Sequence, residues 1–266
     1  MRVSAAAASL MVLAVLPSHA GSEPIVRNSM VPNDLDFIVS SDPGVFACIE
    51  YEGRIRAEMP DPRREGLHAD GVYSYSAKYT DGSSVGIWVH PDVGSQNAAH
   101  NLALQVADPV GKLPTIMRSK LDHEVIHEGN LSGFSEDKGR FFVLYSENMA
   151  TLLRNEFLEE SVFHKSVHAT LDHPMSASAE WKRVQRADGG FVTEYARERP
   201  DKEDLAESAL FAWALLFHPG RLPDSVEERV RQIMPNRLAF FWKVFAEDRP
   251  PFFRVGPAES CLIADV

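Results

Sequence analysis

Two histidines four residues apart are the first feature of this sequence that could do chemistry. His164 and His168 lie in the run from Phe157 to Asp172. On a helix, residues four apart lie on the same face, with their Cβ atoms about 5–6 Å apart. Two imidazoles at that spacing can bind one metal ion, but ordinary surface or capping histidines share the same pattern. The pair alone is therefore a weak indication of a metal site.

Two carboxylates with the same spacing follow further along the chain. Glu203 and Glu207 belong to a helix that we predict to start near residue 201. In zinc sites with two histidines and one glutamate, the first carboxylate of an E-x-x-x-D/E pair binds the metal. The second can accept a hydrogen bond from a ligand histidine and so fix its tautomer. The alternative interpretation is two solvated acids at a helix start, where the helix dipole favours negative charge.

A literal H-E-x-x-H motif also occurs, as HEVIH at positions 123–127. On a helix, its two histidines would bind zinc and its glutamate would act as the base. The β-branched pair Val125-Ile126 and the turn signal Gly129-Asn130 instead favour a strand, in which the two histidines lie about 13 Å apart. A helix over 114–129 is the alternative. We predict a strand that contributes no metal ligand.

The elements that must position these residues run from strands to helices. Strand character over 44–95 includes a hairpin across Asp81-Gly82, and two more strands are predicted at 122–127 and 141–145. Predicted helices begin after an N-cap at Ser95 and at about 157, 177 and 201, and a last one spans about 225–247 with a break near Pro235. This order predicts an α+β fold, with an N-terminal β-rich part packed on a C-terminal helical part that carries the metal site.

Several longer stretches resemble a bacterial zincin group allied to the lethal-factor-like gluzincins. They are Glu159–Asp172, AEW at 179–181, ADGGFVTEYA at 187–196, PDKEDLAE at 200–207 and PNRLA at 235–239. With segment 122–130, which looks like a strand without zinc ligands in such relatives, the resemblance covers most of the mature chain. It implies a zincin-like metallopeptidase fold, bound Zn²⁺ and a peptide or protein as substrate or ligand.

The resemblance also implies a role for each candidate site residue. The zinc ligands correspond to His164, His168 and Glu203. Glu207 corresponds to the carboxylate that contacts a ligand histidine. Tyr195 corresponds to a tyrosine that donates to the developing oxyanion, and a half-buried core aromatic is the alternative for it. Asp172 either orients a ligand histidine or ends the helix.

The sequence departs from this group at the position that matters most for catalysis. Relatives carry a glutamate directly after the first histidine, where this chain has Lys165. That glutamate accepts a proton from the attacking water, and such general acid–base groups contribute about 10²–10⁴-fold in rate. An ammonium group cannot accept a proton, although a desolvated lysine can deprotonate. Glu160, one turn before His164, is another candidate base.

The first twenty residues have the composition of a signal peptide. A basic second residue is followed by an apolar run from Ala5 to Leu16, and Ser18-His19-Ala20 ends in small residues. The run is too short for a comfortable membrane span, and no later segment approaches about eighteen apolar residues. We expect a signal peptide at 1–20, a flexible lead-in at 21–43 and a single zincin-like domain at 44–266, in a secreted or periplasmic protein.

The cysteine content fits export as well. Cys48 and Cys261 are the only two cysteines of the chain, and in an oxidising compartment they can form a disulfide that joins the two ends of the domain. Two buried thiols are the alternative, because the sequence does not give the distance between them.

Composition narrows the class of partner. The net charge is −11, and the lysines and arginines are scattered, which argues against a nucleic-acid partner.

From the motifs, the resemblance and the signal peptide together, we expect an exported zinc-binding pseudoenzyme of the metallopeptidase type, in which Lys165 impairs or abolishes peptide hydrolysis. Two alternatives stay open: an active secreted zinc endopeptidase with another base, and a metal-free binding scaffold in which the same helices only pack.

Overall fold

One sheet and a set of helices form the part of the chain that the computed structural model describes, residues 23–31 and 33–248. The strands are β1 (Phe46–Glu58), β2 (His68–Tyr79), β3 (Ser84–Val89), β4 (His123–His127), β5 (Phe134–Glu136) and β6 (Phe141–Tyr145). The helices are α1 (Gln96–Gly111), α2 (Thr115–Arg118), α3 (Ser146–Arg154), α4 (Leu158–Thr170), α5 (Asp172–Met175), α6 (Ala179–Asp188), α7 (Glu194–Glu198), α8 (Asp204–Phe217), α9 (Asp224–Ile233) and α10 (Pro235–Val244). The predicted α+β class is confirmed. The predicted signal peptide and Cys261 lie outside the described residues, so export and the disulfide stay predictions.

The six strands form one mixed sheet in the order β1-β2-β3-β4-β6-β5. β1, β2 and β3 pair antiparallel, and the predicted hairpin across Asp81-Gly82 joins β2 to β3. β3, β4 and β6 are parallel neighbours: the connection from β3 to β4 contains α1 and α2, and the connection from β4 to β6 contains β5. β5 pairs antiparallel with β6 and forms one edge of the sheet. The sequence did not predict β5, because its three residues show no apolar alternation.

The main core lies between the sheet and the helices. Ser95 caps α1 as predicted, since its side chain accepts a hydrogen bond from the backbone of Ala98. α4 and α8 pack against each other, and nearly all residues of both helices are buried. The C-terminal region breaks at Pro235 into α9 and α10, because a proline has no N–H for the preceding helix.

The segment before β1 differs from the loose lead-in that the sequence predicted. Its described residues form no helix or strand longer than an isolated bridge between Val26 and Thr193. Nevertheless, Met30, Phe37 and Ile38 are buried in the main core. The segment therefore packs across the helical part of the domain before it reaches the sheet.

β4 contains the literal H-E-x-x-H motif, and the predicted strand is confirmed. His123 stacks between Trp88 and Phe141 on the outer side of the sheet. Side chains alternate along a strand, so Glu124 faces the main core on the side of Ile126. Neither Glu124 oxygen has a hydrogen-bond partner among the described residues, and burial raises the pKa of Glu124 well above 4.5. In this strand His123 and His127 lie about 13 Å apart along the chain, so the motif does not have the helical geometry that its zinc chemistry needs.

This buried carboxyl group gives a stability prediction. We expect Glu124→Met to raise the free energy of unfolding by about 1–3 kcal/mol at pH 8, the usual cost of a buried polar group without a partner. Because the folded state raises the pKa of Glu124, ionisation favours the unfolded chain, and wild-type stability falls as pH rises above 4.5. Urea unfolding at pH 5 and pH 8 tests this. Glu124→Gln is the control: it should lose this pH dependence but gain less stability. An unchanged pH dependence in both variants would contradict the prediction.

Candidate metal centre

The candidate centre is formed by the middle of α4 and the start of α8. His164 and His168 lie one turn apart on α4, and Glu203 is the N-cap residue of α8. The start of α8 is held in place by Asp204, whose carboxylate accepts a hydrogen bond from Arg237 at 2.5 Å. Arg237 is fully buried and also pairs with Asp188 at the end of α6. This network fixes the start of α8, and with it Glu203, relative to α6 and α10.

Three side-chain atoms converge at the centre. His164 Nε2 and His168 Nε2 lie 3.0 Å apart. Glu203 Oε2 lies 3.4 Å from His164 Nε2 and 3.2 Å from His168 Nε2. Three ligands with bonds of about 2.0–2.1 Å to one tetrahedral ion lie about 3.3 Å from one another. The group is buried, and its spacing fits a single metal ion.

The protonation states of the two histidines also fit a cation. Burial lowers the pKa of His164 to about 4, so this imidazole is neutral at pH 7. Burial also opposes a charge on His168, but hydrogen bonds to Asp172 and Glu203 outweigh it and raise its pKa to about 9. Burial opposes ionisation of Glu203 too, yet the two histidines hold its pKa well below the usual range. The centre therefore favours positive charge, which a metal ion supplies.

Two further carboxylates contact the ligand histidines from behind. Asp172 Oδ2 lies 2.7 Å from His168 Nδ1, and Glu207 Oε1 lies 3.5 Å from His164 Nδ1. If each Nδ1 carries the proton, each Nε2 presents its lone pair to the centre. Glu207 accepts hydrogen bonds from Ser29 Oγ at 2.5 Å and from the Met30 N–H at 2.8 Å. Burial raises the pKa of Glu207 to about 7.

The contact between Asp172 and His168 gives a second prediction. We expect Asp172→Asn to weaken metal binding by about 10–100-fold, as is usual when a group that orients a ligand histidine is changed. Competition with a fluorescent zinc chelator measures the affinity. Asp201→Asn is the matched control, because Asp201 lines the same cleft but pairs with Lys182. Equal effects of the two changes would show that only cleft charge matters.

The centre opens into a cleft with a volume of about 1010 Å³. Ser161, His164, Lys165 and His168 line it from one face of α4, and the edge strand β5, which contacts α4, lines it as well. Burial lowers the pKa of Lys165, and the nearby Glu203 and Glu207 carboxylates oppose this shift.

Tyr195 also lines the cleft, and its hydroxyl accepts a hydrogen bond from Arg199 at 3.0 Å. Burial and the Glu203 carboxylate raise the pKa of Tyr195, so its hydroxyl keeps its proton at neutral pH. The structure therefore brings the three predicted ligands, Lys165, Tyr195 and Asp172 to one cleft, with Glu207 directly behind it.

Glu160 is the candidate base that the structure places elsewhere. Its Oε1 accepts hydrogen bonds from the backbone N–H groups of Phe37 at 3.2 Å and Ile38 at 3.4 Å. Burial raises its pKa to about 7, but the side chain does not line the cleft. Glu160 therefore anchors the N-terminal segment to α4.

Sequence reasoning missed the part of the site that comes from distant segments. Ser29 and Met30 hold Glu207, and Ser135 of β5 donates to the carbonyl of Lys165 at 2.9 Å. Serine and methionine in an irregular segment give no local signal of such a role, because the contacts span 177 and 178 positions for Glu207.

Comparison with models of known protein families, with curated proteins and with solved structures found no match to this chain. Within the described residues, no helix is both long and apolar enough to cross a membrane. Fold and site thus define an α+β protein with a buried candidate metal centre at the base of a wide cleft.

Proposed function

We propose that the protein is an exported, zinc-binding member of the zincin-like, lethal-factor-like gluzincin group, with impaired or absent peptide hydrolysis. The convergence of His164, His168 and Glu203 on one point of the cleft carries this proposal. Imidazole and carboxylate ligands suit zinc. Three protein ligands are typical of catalytic zinc sites, in which a fourth position stays open. The packing of α4 against α8 beside a mixed sheet supports the zincin-like part of the proposal.

The cleft supports a peptide as the ligand. β5 is an edge strand, so one side of its backbone has no neighbouring strand within the described sheet. Such an edge can pair with an extended peptide through main-chain hydrogen bonds, while side chains give specificity. Phe134, Leu152 and Phe157 add apolar surface to the same cleft. A peptide lying along β5 would pass in front of the metal ligands.

The residues around the centre would each have a different role in binding a peptide. When bound, zinc would supply a Lewis acid that polarises a peptide carbonyl. Tyr195 keeps its proton and can donate to the oxygen of that carbonyl. Lys165 occupies the position of the missing base, and its ammonium group cannot accept a proton from water. Binding would therefore be retained while the chemical step is slow.

An active enzyme with another base is the second candidate function. Of the acidic residues in the cleft, Asp172 and Asp201 are engaged by His168 and Lys182. Glu136 at the end of β5 and Asp137 after it also line the cleft and are exposed. Their carboxylates are the remaining candidates for a base in the cleft.

Metal analysis and peptide hydrolysis of the purified mature protein test the proposal. We expect about one zinc ion per chain. We also expect little chelator-sensitive hydrolysis of a mixed peptide pool. Strong chelator-sensitive hydrolysis would favour the active enzyme. A folded protein that binds no zinc would favour the metal-free scaffold and contradict the proposal.

A further inference from the structure

Lys165 is the lysine of α4 that lines the cleft together with the candidate metal ligands. It follows His164 directly and lines the cleft with it. No carboxylate among the described residues lies within 4.0 Å of its ammonium group. The second lysine of the cleft, Lys202, is exposed at the mouth, whereas Lys165 is half-buried. A half-buried ammonium without an ion-pair partner has a strong demand for an anion.

Glu203 and Glu207 act electrostatically on Lys165, but neither lies within 4.0 Å of its ammonium group, and Glu203 contacts both ligand histidines. Asp172 is bound to His168, and Asp201 is bound to Lys182. Glu207 is held behind the centre by Ser29 and Met30. Glu136 and Asp137 are exposed near the edge strand. Within the described residues, Lys165 therefore has no carboxylate at ion-pair distance, which leaves this place for an external anion.

The positive charge of a metal-bound centre would also favour an anion at this place. A divalent ion with two neutral imidazoles and the Glu203 carboxylate keeps a net positive charge, and the Lys165 ammonium adds one more. The open position of a three-ligand site accepts an oxygen ligand. A carboxylate has two oxygens and can satisfy both cations at once, in a partly desolvated site where such contacts are strong.

We propose that the cleft binds a carboxylate-bearing peptide, with the carboxylate placed between the metal position and Lys165. This inference rests on the proposed zinc site. In this binding mode Lys165, which stands at the position of the missing base, is the residue that selects the ligand. The carboxylate is either the C-terminus of the peptide or the side chain of an acidic residue, and both sources offer the same pair of oxygens.

Calorimetric titration of the zinc-loaded protein at pH 7 with matched peptides tests the proposal. The probes are N-acetyl-Ala-Ala-Phe with a free carboxylate, the same peptide as its C-terminal amide, and N-acetyl-Ala-Asp-Ala amide. We expect at least one of the two carboxylate peptides to bind about tenfold or more tightly than the neutral amide, a typical gain for a charge-assisted contact. Which of them binds identifies the source. Equal affinities of all three peptides overturn the proposal.

Variants at the two cleft lysines test whether Lys165 causes the preference for a carboxylate peptide. Lys165→Gln should reduce the preference for carboxylate to less than about threefold, while Lys165→Arg should keep most of it. Lys202→Gln removes one positive charge from the mouth of the same cleft and should leave the preference unchanged. A preference that survives Lys165→Gln, or that is lost equally in Lys202→Gln, overturns the role of Lys165. The Arg variant keeps the test decisive if the Gln variant does not fold.

Zinc content, measured before each titration, separates this inference from the proposed function. A protein that holds no zinc contradicts the proposed function and, with it, the shared placement of the carboxylate. A zinc-loaded protein without a preference for carboxylate contradicts the inference alone. Removing zinc from the loaded protein should weaken carboxylate binding by about tenfold or more, and an unchanged affinity also counts against it.

Discussion

Replacing Lys165 with glutamate is expected to raise peptide hydrolysis by about 10²–10⁴-fold, the usual contribution of a general acid–base group. Lys165 lines the cleft beside His164, His168 and Glu203, so a carboxylate at this position would face the same space as the open position of the centre. The glutamate would accept a proton from water, which the ammonium cannot. Initial rates on a fluorogenic peptide pool, with and without a chelator, measure the effect.

Two further variants separate the base from the charge. Lys165→Gln removes the positive charge without adding a base, so any gain from tighter zinc binding alone appears in this variant too. Tyr195→Phe, added to Lys165→Glu, should reduce the new activity sharply because it removes the proposed oxyanion donor. Equal activity of the Glu and Gln variants would rule out the missing-base explanation. Equal activity of the wild-type and Glu variant would show that the protein is an active enzyme with a different base.

The second large effect is expected from His168→Ala, which should reduce bound zinc from about one equivalent to nearly none. Loss of His168 Nε2 leaves two of the three converging atoms, and two ligands rarely hold zinc against solvent. Inductively coupled plasma mass spectrometry of dialysed protein measures the metal, and circular dichroism checks the fold. The matched control replaces both His123 and His127 with Gln, which removes the histidines of the literal motif.

The two results decide between the motifs of this sequence. His123 and His127 lie on β4, in contact with aromatic rings and away from the cleft, so their replacement should leave zinc unchanged. If the control loses zinc while His168→Ala retains it in a folded protein, the whole assignment of the centre is wrong. If both proteins retain zinc, the metal lies elsewhere in the chain.

Lys165 links the proposed function to the proposed ligand. In the proposed function, the ammonium group stands where hydrolysis needs a base, and in the proposed binding mode the same group is the cation that a carboxylate ligand contacts. Lys165→Glu should therefore weaken binding of a carboxylate peptide as it raises hydrolysis of a neutral one. Opposite changes in these two measurements would be difficult to explain by a general loss of structure.

Local patterns in the sequence determined the class of fold and the main elements. Hydrophobic periodicity and capping residues predicted α1, α4, α6, α8 and the break at Pro235. A β-branched pair predicted β4, and an apolar, aromatic run predicted β6. These signals depend on neighbours within a few residues, so they can be read from sequence. The strand preference of Val125-Ile126 was also enough to reject the literal zinc motif.

Within the candidate site, the sequence gave the spacing of each histidine and carboxylate pair. It could not bring the pairs together by periodicity alone, because α4 and α8 are separated by more than thirty residues. The pairs were linked by the ligand pattern of zinc sites with two histidines and one glutamate, and by the resemblance to the zincin group. Their meeting depends on the packing of the two helices and on the buried Arg237, which holds Asp204 at the start of α8. The 3.0–3.4 Å spacing of the three atoms is a result of that packing.

Tertiary structure alone decided what surrounds the centre. In the N-terminal segment, Ser29 and Met30 donate hydrogen bonds to Glu207, and the backbone N–H groups of Phe37 and Ile38 donate to Glu160. The segment is therefore part of the domain. Short β5 becomes the edge of the cleft only through its pairing with β6. Such contacts join residues far apart in the chain, and their free energy comes from burial and hydrogen bonds that form only when the whole domain folds.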